Sequence, residues 1–125
     1  MFKDTLFSIV SESAEERHGE FGIRLHPEHP IYSGHFPNDP ITPGVCLVQI
    51  VTDLFEHLSG KPCQMTEAKN IKFLHLVRPQ EHDVIRYTLD WEMVEEDLFK
   101  VKAVVSAEDT LFAKISITLK STPRR

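Results

Sequence analysis

The residues best suited to chemistry lie in one proline-rich loop, residues 29–45, that surrounds a histidine. His35 carries an imidazole, the side chain that exchanges protons most readily near neutral pH. Prolines at positions 30, 37, 40 and 43 restrict the backbone and remove N–H donors, so the loop is stiff. A stiff loop holds its side chains in place, and His35 is therefore the first candidate for a general base.

A helix is predicted directly after this loop, over residues 45–58, because apolar residues recur there around nearly its whole circumference. The polar residues Gln49, Thr52, Asp53 and Glu56 follow the spacing i, i+3, i+4, i+7 and form one narrow stripe. Ser59, Gly60 and Pro62 then supply a stop signal. The helix is predicted to be buried, with the stripe as its only polar face.

The rest of the chain is predicted to form strands. The four strands after the helix are expected at residues 67–77, 83–93, 98–107 and 111–119, and two more before the loop at 5–10 and 22–26. The first of these is ambiguous, because residues 1–7 fit a short helix or an irregular lead-in equally well. The short connections favour antiparallel neighbours. An antiparallel sheet with one long apolar helix is best explained if the sheet wraps the helix, which is an α+β architecture.

Residues 34–45 read Gly-His-Phe-Pro-Asn-Asp-Pro-Ile-Thr-Pro-Gly-Val. This segment resembles the motif Gly-His-Phe-Pro-x-x-Pro-x-x-Pro-Gly-Val of the hotdog-fold beta-hydroxyacyl-acyl-carrier-protein dehydratases. Residues 70–79, Asn-Ile-Lys-Phe-Leu-His-Leu-Val-Arg-Pro, are similar to the strand that leads to an Arg-Pro or Val-Pro turn in that family. The order of helix and strands agrees with the family over nearly the whole chain.

The resemblance implies a single hotdog domain over residues 1–125, in which a strongly curved antiparallel sheet wraps a central helix. It also implies homodimers or larger homo-oligomers whose sheets join edge to edge, with an acyl tunnel at the interface. His35 matches the catalytic histidine of the family, and the N–H of Gly44 or its neighbour matches the donor that polarises the thioester carbonyl. The residues expected to contact substrate are Tyr32, Phe36, Pro43 and Val45.

One position departs from the family pattern. Elimination of water from a 3-hydroxyacyl thioester needs a base for the α-proton and an acid for the hydroxyl. The family's Glu or Asp lies fourteen residues after the histidine, where this chain has Gln49. Gln49 cannot ionise, although it can hydrogen-bond a hydroxyl or orient a water. Asp53 lies one turn later, about 6 Å along the axis, where the family often has Gln, and it serves as the acid only if the substrate path is also shifted.

Three functions remain open on these residues. The first is a 3-hydroxyacyl-thioester dehydratase of fatty-acid or polyketide-type synthesis that uses His35 with Asp53 or with a water held by Gln49. The second is a non-catalytic or hetero-oligomeric subunit that binds acyl chains and completes the site of a related dehydratase. The third is a hotdog thioesterase, with Asp53 as its carboxylate. For Asp53, local pairing with a backbone group is as good an interpretation as catalysis.

The composition of the chain limits the classes of partner that it is expected to bind. The chain has 14 basic and 19 acidic residues and a net charge of −5, which argues against nucleic-acid binding. No apolar stretch reaches the roughly 20 residues that a bilayer span needs, so no membrane association is expected. With two cysteines and no secretory leader, the cytoplasm is the expected location.

The substrate carrier is expected to be an acyl carrier protein or coenzyme A. An acidic carrier protein would dock on local positive charge, for which Lys69, Lys72, Arg78 and the tail at 123–125 are candidates, although a solvated strand face explains the lysines equally well. His26, His29 and His35 have a spacing that metals accept, but a proline-rich loop is a poor cage. We expect neither a metal nor a cofactor.

Overall fold

The computed structural model describes residues 1–34 and 38–122, in which six antiparallel strands form one sheet against a long helix. The elements are β1 (Phe7–Glu15), β2 (His18–Leu25), α1 (Pro30–Ser33), α2 (Gly44–Ser59), β3 (Cys63–Phe73), β4 (Val84–Glu95), β5 (Leu98–Ala107) and β6 (Thr110–Ser121). The strand order is β1-β2-β4-β5-β6-β3, and all neighbours are antiparallel. The predicted α+β class is confirmed.

Helix α2 lies within one residue of its predicted bounds at either end. Nine of its sixteen residues are buried, as expected for a helix with apolar residues on most of its circumference. Gly60 ends the helix in a left-handed conformation (φ 72°), and its N–H donates to the Glu56 carbonyl at 2.8 Å. Among the residues with described positions, no helix is long and apolar enough to cross a bilayer.

The sheet holds α2 through its buried side chains. The Tyr87 hydroxyl on β4 donates to the Leu47 carbonyl of α2 at 3.0 Å. The Phe55 ring of α2 packs against Trp91 and Phe99, with centroid distances of 5.6 and 5.0 Å. Because strand side chains alternate between faces, the inner face of the sheet buries its apolar residues while its lysines lie outside.

The first hairpin is longer than the predicted strands at 5–10 and 22–26. β1 continues to Glu15 and β2 begins at His18. The sequence signal is missing there because residues 10–15 of β1, an edge strand, are all exposed and mostly polar. Pairing with β2, rather than burial, extends this strand.

Two further boundaries differ from the sequence prediction. β3 runs over Cys63–Phe73 instead of 67–77, and residues 74–77, which are apolar except for His75, leave the ladder before the proline at position 79. The proline-rich loop, predicted to be irregular, contains the short helix α1. His29 caps this helix, because its Nδ1 accepts a hydrogen bond from the Ile31 N–H at 3.0 Å.

Candidate active site at the proline-rich loop and the central helix

The described flanks of the proline-rich loop are tied to the body of the protein at several points. The Tyr32 and Thr42 hydroxyls share a buried hydrogen bond of 3.0 Å. The Thr42 N–H donates to the Val77 carbonyl at 2.8 Å. Arg78 donates from its guanidinium to both oxygens of Asp39, at 2.9 and 3.2 Å. These contacts fix the chain on both sides of the position of the predicted base.

The predicted substrate-contacting residues lie in different environments. His35 and Phe36 fall outside the described residues, and their roles stay predictions. Tyr32 is 3% exposed, and burial raises the pKa of its hydroxyl, which keeps it protonated and bonded within the loop. Pro43 is half-buried, whereas Val45 is 75% exposed. Val45 is therefore accessible to a ligand, while Tyr32 anchors the loop.

The start of α2 offers backbone donors. The Pro43 carbonyl accepts the first helical hydrogen bond, from the Cys46 N–H at 3.0 Å. The N–H groups of Gly44 and Val45 have no acceptor among the described residues, so they match the predicted donors to a substrate carbonyl. A Cβ on Gly44 would lie 2.6 Å from Cζ of Phe73, so a larger residue at this position would have to displace the Phe73 ring.

Gln49 and Asp53 form a directly bonded pair on α2. Gln49 donates from Nε2 to Oδ1 of Asp53 at 2.9 Å. The Phe2 N–H donates to Oδ2 of the same carboxylate at 2.7 Å, and the Met1 amino nitrogen lies 3.0 Å from Oδ1. The Asp53 side chain is only 1% exposed. Its carboxylate is thus enclosed in protein and surrounded by N–H donors.

This arrangement decides what Asp53 can do. Both carboxylate oxygens already accept hydrogen bonds from protein N–H groups, so neither is free to bond a departing hydroxyl. Local pairing, the structural interpretation of Asp53, is therefore what the described contacts support. Gln49 is half-buried, and its Oε1 has no partner among the described residues. The helix presents an amide oxygen at the position where the family resemblance predicts a carboxyl group.

Two contacts of this site were not predicted from the sequence. Phe2 contributes a backbone N–H to the Asp53 carboxylate, and a backbone group leaves no mark in a side-chain pattern. Asp39 belongs to the motif segment but was not singled out, because its partner Arg78 is 39 residues away. The basic residue Arg78 within the second family-like segment was the only available signal.

The other candidate side chains have structural partners. His26 pairs through Nε2 with the Ser8 hydroxyl at 2.7 Å, and His29 caps α1. The residues that the structure describes contain no group of three potential ligands around a metal position, although His35 is not among them. Burial raises the pKa of the Cys46 thiol, as expected for a small buried residue without a base beside it.

Comparison with known protein families matches residues 11–115 to the family described as ApeI-like, ApeI dehydratase. The chain belongs to the ApeI-like family. A curated relative, the 3-hydroxyacyl-acyl-carrier-protein dehydratase FabZ of Gluconobacter oxydans, is 26% identical over 124 residues. That alignment covers 90% of this chain and 72% of the relative.

Solved structures show that this ApeI-like chain has the predicted hotdog fold. The Dehydratase Heterocomplex ApeI:P from Xenorhabdus doucetiae matches with a TM-score of 0.71 at 18% identity, over 90% of this chain and 96% of that one. A hypothetical thioesterase from Streptococcus pneumoniae with coenzyme A matches with a TM-score of 0.67 at 11% identity, over 95% and 88%. Family and fold together identify the chain as dehydratase-like.

Proposed function

We propose that this ApeI-like chain is a subunit of a 3-hydroxyacyl-thioester dehydratase that takes its catalytic acid from a homologous subunit. His35 would be the base, the N–H groups at the start of α2 would polarise the thioester carbonyl, and the acyl group would be carried by an acyl carrier protein or coenzyme A. The observation that carries the proposal is the bonding of Asp53, whose two oxygens already accept N–H donors.

The proposal follows from the two proton transfers of dehydration. A base removes the α-proton, and an acid protonates the departing hydroxyl. Of the two helix positions considered, Gln49 cannot supply this proton, and the Asp53 carboxylate is enclosed and fully bonded. If sites form between subunits as the family resemblance implies, a partner with Glu or Asp at the position of Gln49 supplies the missing acid. The heterocomplex named for one structural neighbour is a precedent for such an assembly.

A second candidate is a self-sufficient dehydratase in which Gln49 holds the hydroxyl or a water. One observation favours it: the bond to Asp53 fixes the orientation of the Gln49 amide and leaves its Oε1 available among the described contacts. A hydroxyl can donate to this oxygen, but the proton for the leaving group must then come from water. We therefore expect this route to be slow.

A thioesterase function would require Asp53 to attack the thioester or to activate water. A carboxylate whose side chain is 1% exposed and whose oxygens are both bonded is poorly placed for either role. The described geometry therefore favours dehydration over hydrolysis.

The proposal is tested by complementation between the wild-type chain and a variant that supplies the acid. Gln49→Glu combined with Asp53→Asn introduces the acid and keeps local hydrogen bonding, because the introduced asparagine amide can donate to the new carboxylate and still accept from the Phe2 N–H. This double variant is combined with His35→Ala to give an acid donor without a base. Wild type and the acid donor are each assayed alone and after co-refolding, by following enoyl-thioester formation.

We expect each protein alone to be nearly inactive and the mixed assembly to gain activity by at least about two orders of magnitude, since one shared site then has both groups. The matched control is the single variant His35→Ala mixed with the same acid donor. This mixture should stay inactive. Full activity of wild type alone would overturn the requirement for a partner. Thiol release without enoyl product would support a thioesterase instead.

A further inference from the structure

The buried carboxylate of Asp53 takes no part in the proposed reaction, so its contacts point to another role. A buried carboxylate is costly unless hydrogen bonds compensate for its lost hydration. Besides Gln49, the described polar partners of Asp53 are the Met1 amino nitrogen and the Phe2 N–H. The bond from Phe2 is the shortest of the three, at 2.7 Å, and it joins residues 51 positions apart. Asp53 therefore fastens the segment that precedes β1 to α2.

The segment that begins at Phe2 is folded into a closed turn over residues 2–6. The Phe2 carbonyl accepts hydrogen bonds from the Thr5 and Leu6 N–H groups at 3.1 and 2.9 Å. The Leu6 carbonyl accepts from the His26 N–H at 2.7 Å, directly after the end of β2. The backbone of this turn is thus bonded to α2 at one end and, at the other, to the segment that leads into the proline-rich loop.

The Phe2 side chain makes a second contact with that loop. Its ring is half-buried and packs in a T-shape with the His29 ring, with centroids 6.1 Å apart and an interplanar angle of 89°. His29 caps α1 through its Nδ1, which accepts from the Ile31 N–H at 3.0 Å, and its carbonyl accepts from the Tyr32 N–H at 3.1 Å. Because a cap acts through the orientation of its side chain, a ring that restricts His29 also fixes the start of α1.

We propose that Asp53 and Phe2 are positioning residues for the loop that carries His35. The Asp53 carboxylate holds the backbone of Phe2, and the Phe2 ring restricts the side chain of His29. The His29 cap fixes the start of α1, which ends at Ser33, two positions before His35. Neither Asp53 nor Phe2 touches the reacting atoms in this scheme. The inference rests on the proposed function, in which His35 is the base, and it gives the buried carboxylate a role that needs no proton transfer.

The test applies two measurements to one set of variants. Phe2→Ala removes the ring and keeps the N–H, Asp53→Ala removes the acceptor, and a double variant combines the two changes. Asp53→Asn keeps an oxygen that accepts from the Phe2 N–H, so it should behave like the wild-type protein. Val101→Ala is the control for a general loss of stability. It truncates a fully buried side chain on β5, which β2 and β4 separate from β1 in the sheet.

The first measurement does not depend on activity. NMR follows the solvent exchange of the Ile31 and Tyr32 amide protons, both of which are bonded to His29. We expect exchange to be at least about fivefold faster in the two single alanine variants and to change less than about twofold in the asparagine variant and the control. Unchanged exchange in both alanine variants would overturn the inference, whatever their activity.

The second measurement is enoyl formation by each variant mixed with the acid donor, so that the variant subunit alone supplies His35. We expect each alanine variant to lower kcat by about tenfold and to change KM less than about twofold, because the base is misplaced while thioester binding is retained. The double variant should lose no more than the worse single variant, since the two residues act as one unit.

Three kinetic results would overturn the inference: unchanged kcat in both alanine variants, multiplied losses in the double variant, or an equal loss in Asp53→Asn and Asp53→Ala. If wild type mixed with the acid donor is inactive, the proposed function fails by itself. The exchange of the two amide protons then decides this inference alone.

Discussion

At the scale of single residues, the pair of Gln49 and Asp53 determines the chemistry that α2 offers. The Gln49 amide donates to one oxygen of the Asp53 carboxylate at 2.9 Å, and the Phe2 N–H donates to the other oxygen. A charge that is buried but well bonded is stable only while those donors are present. The chemistry of position 49 therefore cannot be changed without considering position 53.

The first prediction concerns Gln49→Glu alone. This substitution places a second carboxyl group about 3 Å from Asp53, where two carboxylates do not ionise together, so the pKa of the introduced group rises. An acid whose pKa is higher in the folded than in the unfolded protein does not change the free energy of unfolding at a pH where it is protonated in both states. The destabilisation grows as pH rises above the pKa of the group in the unfolded protein. We expect destabilisation of about 1–3 kcal/mol at about pH 8 and much less at about pH 4, measured by urea unfolding.

The matched control for this prediction is Gln49→Glu combined with Asp53→Asn, which removes the repulsion. It should show no additional loss of stability as pH rises. The same pH dependence in the single and double variants would contradict the assignment of the effect to the Asp53 carboxylate.

The second prediction concerns the ion pair that anchors the loop. Hydrogen bonds from Arg78 lower the pKa of Asp39, so the pair contributes stability above the ordinary pKa of aspartate and loses it as pH falls through the folded-state value. In Arg78→Gln, an NMR titration should return the Asp39 pKa to its ordinary range. Arg86→Gln, which removes an exposed arginine without an ion pair among the described residues, should leave that pKa unchanged.

The sequence predicted the location of this site better than the bonding within it. The spacing of polar residues correctly placed Gln49 and Asp53 on one stripe of a helix. It did not predict that Phe2 approaches Asp53, because this contact joins backbone to side chain across 51 positions. Which carboxylate is free to react depends on such distant contacts.

At the scale of elements, the start of α2 depends on the end of β3. The Phe73 ring is 52% exposed and lies against Gly44, with Cζ and Cε2 at 2.6 and 2.8 Å from the position that a Cβ on this glycine would occupy. A half-exposed ring can swing outward, so strain at this contact is relieved by movement of Phe73 rather than by unfolding.

The third prediction is therefore that Gly44→Ala destabilises the protein by about 1 kcal/mol, since the new methyl displaces the Phe73 ring. In a Phe73→Ala background the same substitution should cost nothing or stabilise slightly, because alanine is a better helix residue than glycine. A double-mutant cycle, with free energies of unfolding measured in urea, gives the difference in the cost of Gly44→Ala between the two backgrounds. Equal cost in both backgrounds would show that the ring is not responsible.

Elements with a buried face were predicted well, and those without one were not. The alternation of Ile115, Ile117 and Leu119 with polar residues located β6, and apolar residues on most of its surface located α2. The outer half of β1 and the first residues of β3 are exposed on edge strands, where pairing rather than burial sets the bounds. Hydrophobic periodicity does not record such pairing.

At the scale of the whole molecule, exposed apolar side chains collect around the end of edge strand β3. Phe73, Leu74 and Leu76 are 52%, 47% and 56% exposed, and the exposed Val45 directly follows Gly44, which the Phe73 ring contacts. Exposed apolar groups next to an unpaired strand edge favour association with another chain. This surface lies beside the predicted carbonyl donors of α2.

The fourth prediction is that Leu74→Glu with Leu76→Glu weakens association of the chain. We expect sedimentation velocity to show a dimer for the wild-type protein and at least about tenfold weaker association for the variant, because charges are introduced into an apolar contact. Met93→Glu is the control, since Met93 is 64% exposed but belongs to β4 near its hairpin with β5. Identical sedimentation of all three proteins would contradict the prediction.

The bond between Gln49 and Asp53 also constrains how this lineage can change. A single mutation that introduces a carboxyl group at position 49 places it against the charge of Asp53 and lowers the stability of the protein before any catalytic benefit arises. The reverse order, in which Asp53 is first neutralised, avoids that barrier. A carboxyl group at position 49 is therefore readily reached by only one of the two mutational orders.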